Sequence, residues 1–112
     1  RVAEFCHIGA QIMRRTGDLF AVAQEAAMVD PALQANWQAG REGTRHNHRV
    51  FWQRLADDGL LDPRVDTGWL IDTSTLLGGA ETFLLIRRLY RWTIPNYERW
   101  LVASFRRLAR LD

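Results

Sequence analysis

The chain has 112 residues, 47% hydrophobic and 25% charged, with a net charge of +2. That length and composition fit one globular domain. They exclude a disordered chain, a disulfide scaffold (Cys6 is the lone cysteine) and a membrane helix, since no apolar run approaches about 18 residues.

Glycine and proline are sparse, few segments alternate with the period of a strand and β-branched runs are missing, so the expected fold is all-α with about five helices in an antiparallel bundle. The first helix is expected over residues 1 to 15, with Val2, Phe5, Gly9, Ile12 and Met13 on one face. Thr16 is a capping residue type and starts a second helix through Met28, whose apolar side carries Leu19, Phe20, Ala23, Ala26 and Ala27. Asp30-Pro31 supplies a capping carboxylate followed by proline at the first helical position, and opens a long third helix to about Asp58. Gly59 ends it as a left-handed cap. The inward stripe of the third helix reads Leu33, Trp37, Gly40, Thr44, His48, Phe51, Leu55.

Asp62-Pro63 makes a turn, and Asp66 caps a fourth helix that runs to about Arg88. This helix is apolar on two sides, one with Trp69, Thr73, Leu76, Ala80 and Phe83, the other with Leu70, Leu77 and Leu84, so it needs two neighbours. Gly78-Gly79 lies inside its pattern at a cost of about 1 kcal/mol per glycine relative to alanine. Either a close helix approach over Ser74, Gly78 and Thr82 or a local kink offsets that cost. A fifth helix follows Thr93, with Tyr97, Leu101, Ser104, Phe105, Leu108 and Leu111 on one side. Residues 1–112 read as a single domain, with no repeat and no linker.

Catalytic chemistry finds no support. His46 and His48 are two apart and point to different sides of a helix, and Glu42 with His46 offers two ligands without a third, so neither a metal nor another cofactor is expected. Nucleophile motifs and phosphate-binding glycine loops are absent. All 15 basic residues are arginine, interspersed with 13 acidic ones, and read as solvated helix faces rather than one nucleic-acid surface.

The polar interruptions of the apolar stripes carry more information. Thr44, His48, Asp72, Thr73 and Thr75 fall on or beside stripes made of Trp37, Phe51, Trp69 and Leu76, and buried polar groups need partners. They either satisfy one another in the core or line a small-molecule pocket between helices. The candidate ligand-binding set is Phe20, Trp37, Thr44, His48, Phe51, Trp69, Asp72, Thr73 and Leu76, suited to a mainly apolar or aromatic effector.

The segment "ETFLLIRRLYRWTIPNYERWLVASFRRLARL" resembles the C-terminal end of TetR-family transcriptional repressors. Glu81, Phe83, Leu85, Trp92, Tyr97, Glu98, Trp100 and Leu101 match the family pattern in order. The stretch from Asp30-Pro31 through Leu33, Trp37, His48-Arg49 and Gly59-Leu60 to Pro63 and Asp66 is similar too. There are departures: Tyr90-Arg91 precedes Trp92 where glycine is common, Ile94 intervenes between Thr93 and Pro95, and Gly78-Gly79-Ala80 replaces a frequent Thr-Ser-Pro.

The resemblance implies a ligand-sensing and dimerisation domain that acts as a homodimer in the cytoplasm, away from membranes. The last two helices would pair with their copies as a four-helix bundle through Leu77, Glu81, Leu84, Tyr97, Trp100, Leu101, Ser104, Phe105 and Leu108. The first four helices would enclose the effector. DNA would be bound only through a helix-turn-helix domain upstream of Arg1. A metal-dependent helical enzyme and a purely structural helical dimer are the alternatives.

Overall fold

The computed structural model describes residues 1–111. It is all-helical, with five helices: α1 Val2–Ala27, α2 Pro31–Asp57, α3 Thr67–Gly78, α4 Ala80–Tyr90 and α5 Ile94–Leu108. No helix among the described residues is long and apolar enough to cross a membrane.

The expected break at Thr16 does not occur, and α1 is one helix of 26 residues. The Thr16 hydroxyl donates back to the Ile12 carbonyl at 2.6 Å, a bond available inside a helix, so it caps nothing. Gly17 is tolerated because it is a contact point: a β-carbon there would stand 2.9 Å from both the Phe83 ring and the Arg87 guanidinium. The buried face of α1 is also rotated from the expected one. Val2, Cys6, Ala10, Met13 and Gly17 face inward, while Ile12 is exposed.

The other N-termini follow their local chemistry. The Asp30 carboxylate accepts from the Ala32 amide at 2.9 Å, and the Asp66 carboxylate accepts from the Trp69 amide at 3.0 Å. The Thr93 hydroxyl accepts from the Asn96 amide at 3.3 Å, with Pro95 in the first turn. At the end of α2, Gly59 takes φ +71° and the Leu60 amide donates back to the Leu55 carbonyl at 2.9 Å. This is a Schellman closure, and it is where glycine escapes the steric cost of a β-carbon.

The expected fourth helix is two helices. Gly79 is extended (φ −77°, ψ 162°) and serves as the N-cap of α4, so the chain turns at the glycine pair. Gly78 meets the other expectation, close approach: a β-carbon there would lie 3.2 Å from the His48 ring and 3.3 Å from the Phe105 ring. The Thr82 hydroxyl reaches back across the break to the Leu76 carbonyl, which the interrupted helix leaves without its usual donor.

The core is built on the inward face of α1. Trp52 and Leu55 of α2, Leu70 and Ile71 of α3, and Phe83 and Ile86 of α4 pack there with Tyr97, Leu101 and Phe105 of α5. The last three were expected at a dimer face. Their spacing of four puts them on the strip of α5 that closes this chain's own core, so that strip is already occupied. The α1–α2 hairpin extends past the core as an arm: from Pro31 to Gly43 only Trp37 loses much surface, which helps make the molecule 44 Å long.

Candidate functional site

His48 is a core residue with a built environment. It projects from α2 between Phe5 (ring centroids 5.0 Å apart, 85° between planes) and Phe105 (5.7 Å, 70°). Its Nδ1 lies 2.8 Å from Ser74 Oγ on α3, and the Trp52 indole N–H donates to the same oxygen at 2.8 Å. Ser74 Oγ is also 3.2 Å from the Ile71 carbonyl. One proton assignment satisfies the hydroxyl and both of its donors: His48 Nδ1–H and Trp52 N–H fill the two lone pairs of the hydroxyl, whose proton goes to Ile71. Burial pushes the imidazole pKa down to about 4, so the ring is neutral at physiological pH.

The remaining members of the candidate ligand set lie in three places. Phe51 stacks on Phe5 beside the histidine, with centroids 4.2 Å apart. Phe20 and Trp37 meet edge to face on the arm, where the Trp37 indole donates to Glu81 Oε1 at 3.0 Å and Arg41 pairs with the same oxygen. Thr44, on the same helix face, donates to the Gly40 carbonyl of its own helix at 3.1 Å.

Trp69, Asp72, Thr73 and Leu76 line the outward side of α3, Trp69 being 51% and Leu76 73% exposed, and Asp72 is held by Arg45 at the surface. The inward side of α3 is Leu70, Ile71 and Ser74. The structure therefore joins His48 to Phe51, and Phe20 to Trp37, but turns the α3 members away from both. Ser74 and Trp52 are the site residues the sequence reading passed over. A serine four residues before Gly78, on the face that meets the α2 stripe, was the available signal.

Of the expected interface residues outside the core, Leu77, Leu84, Trp100, Ser104 and Leu108 are half-buried, and Glu81 is exposed and engaged by the arm. Leu85, Leu89 and Tyr90 project outward from α4. Tyr90 stacks near Trp92 (5.5 Å), and Trp92 meets Trp100 of α5 edge to face at 5.9 Å, so aromatic surface joins the outer sides of the two helices.

Reactive groups are muted. The Cys6 thiol is buried, and desolvation with the nearby Glu98 carboxylate pushes its pKa up to about 12. Burial also raises the Tyr97 hydroxyl, which has no hydrogen-bond partner among the described residues. No three His, Cys, Asp or Glu side chains among the described residues come close enough to hold a metal ion, so Glu42 and His46 gain no third ligand.

Two open depressions mark the end of the molecule opposite the arm. One, of about 360 Å³, lies between the end of α2 and the start of α3. The other, of about 380 Å³, lies between the start of α3 and the end of α5. No protein-family model, curated protein or solved structure matches the chain.

Proposed function

We propose that this chain is the effector-sensing and dimerisation domain of a TetR-type transcriptional regulator, controlling DNA binding by a separate helix-turn-helix domain of the same polypeptide. The observation that carries the reading is the apolar surface on α4 and α5 that the chain's own core leaves unused. Leu85, Leu89 and Tyr90 stand outward, beside half-buried Leu84, Trp92, Trp100 and Ser104. A twofold axis brings such a strip against itself, since the same residues then supply both sides of the contact. The ordered match from Glu81 to Leu101 supports the family reading. The aromatic pair Phe20–Trp37, gathered with Arg41 on Glu81, supports a sensing role for the arm.

Sedimentation velocity on the chain over a range of concentrations tests the dimer. The wild type is expected to sediment as a dimer, and Leu85→Asp/Leu89→Asp as a monomer with an unchanged circular dichroism spectrum. A wild-type monomer at high concentration sinks the reading. A second reading, a helical dimer without a sensing role, is favoured by the His48–Ser74–Trp52 group, in which the imidazole Nδ1, the hydroxyl and the indole N–H satisfy one another within the core. Thermal-shift screening of small molecules separates the two, because a ligand that binds only the folded chain must raise its midpoint.

A further inference from the structure

We infer that the notch between the start of α3 and the end of α5 is a binding site for a small organic anion with a flat aromatic body. The notch holds about 380 Å³, within the usual range of small-molecule sites. Its apolar wall is Trp69 with Val65 and Leu108, and its rim carries Arg64, Arg107 and Arg110. The Trp69 ring is half exposed here, an apolar area that the core leaves in water.

The neighbouring carboxylates have partners of their own, and one of them, Asp66, lines the notch. Asp62 takes both the backbone amide and the guanidinium of Arg64 (2.9 and 2.7 Å), which holds its carboxyl down to about 2. Asp66 caps α3 through the Trp69 amide. Among the described residues Arg107 and Arg110 make no ion pair with a carboxylate, so these two guanidiniums are the ones an anion in the notch would meet.

The backbone adds an independent observation. Arg110 sits in the left-handed region at φ 57°, where the Leu111 amide closes on the Arg106 carbonyl at 2.8 Å. Glycine is the residue that this helix ending favours, and the exposed arginine there carries strain. What the side chain does bring is a guanidinium at the notch. A planar ring on the indole face with its carboxylate on two guanidiniums uses each of these features, since a guanidinium fork matches carboxylate geometry.

The inference goes beyond the dimer face proposed above and does not depend on it; sedimentation tests that face separately. The probe is 1-naphthoate, titrated into the chain and followed by two-dimensional amide and indole NMR, with 1-naphthalenemethanol and inorganic phosphate as controls. Naphthoate is expected to shift the Trp69 indole resonance and the amides of Val65, Leu108 and Arg110 saturably. The neutral alcohol is expected to bind about tenfold or more weakly, as the loss of a charge-assisted contact implies.

Arg110→Gly is the discriminating variant. It relieves the left-handed strain, so it is expected to raise the melting temperature while weakening naphthoate binding; Arg107→Ala is expected to weaken binding with the fold unchanged. The inference is overturned if naphthoate gives no saturable shift at these residues. It is equally overturned if phosphate gives the same shifts, or if Arg110→Gly and Arg107→Ala both bind as tightly as the wild type.

Discussion

His48 Nδ1 and Ser74 Oγ meet at 2.8 Å across the α2–α3 interface, and this pair sets the chemistry of the core. The hydroxyl also holds Trp52, so one serine fixes two large side chains of α2. Gly78, one turn further along α3, makes room for the histidine ring.

A buried neutral histidine makes stability depend on pH. The folded pKa, about 4, lies below the unfolded value of 6.5, so the unfolded chain binds the proton more tightly between those values. Stability from this site is therefore complete above about pH 6.5 and is lost as pH falls towards about 4, by an amount on the order of 3 kcal/mol. Urea unfolding at pH 7 and pH 4.5 is expected to show the loss. His48→Gln removes the titration and should flatten the difference between the two pH values. Asp62 titrates near 2, below this window.

Ser74→Ala takes away the shared partner of two buried side chains. Leaving the Trp52 N–H and the imidazole unsatisfied is expected to cost about 2 kcal/mol or more, measured by urea denaturation. A loss under about 0.5 kcal/mol would mean that the polar group does not organise this interface.

The glycines separate by their surroundings. Gly40→Ala and Gly43→Ala place a methyl in open space within α2, and each is expected to stabilise by up to about 1 kcal/mol through helix propensity. Gly78→Ala drives a β-carbon to 3.2–3.3 Å from the His48 and Phe105 rings, and is expected to destabilise by about 1–3 kcal/mol. The opposite signs can be read from melting temperatures of the three variants.

Leu101 distinguishes a core position from an interface position on the same helix. It is 3% exposed within a single chain, so Leu101→Asp buries a charge in this chain's own core. The expected outcome is loss of the helical circular dichroism signal at 25 °C. A folded Leu101→Asp monomer would instead place this residue on the surface between copies.

Cys6 reports on opening. With its thiol 1% exposed and its pKa near 12, labelling by a disulfide reagent at pH 8 is expected to be slow in the native state and immediate in denaturant. Fast native labelling would mean that α1 detaches from α5 well below the global unfolding energy.

Much of the fold was legible locally. Asp30-Pro31, Asp66 and Thr93 mark helix starts because a capping side chain and the residues just after it decide the matter within one turn, and Gly59 marks a stop because a left-handed cap excludes most other residues. The same local reasoning misread Thr16, whose hydroxyl has an alternative partner in its own helix, and it expected one helix through Gly79, where the chain turns. Which stripe of α1 and α3 faces inward was not legible either, and on α5 the apolar stripe was legible but not what covers it. Both α1 and α3 carry apolar residues on more than one side, and periodicity alone does not choose between sides.

The sequence by itself thus determined that the protein is helical, where most helices begin and end, and that a histidine falls on an apolar face. Only the tertiary structure decided that His48 is answered by Ser74, that Tyr97, Leu101 and Phe105 belong to the core, and that Trp69 faces outward beside arginines from the far end of the chain. Capping and helix period act over a few residues. Those outcomes depend on which helix lies against which, and that is settled by packing the whole chain at once.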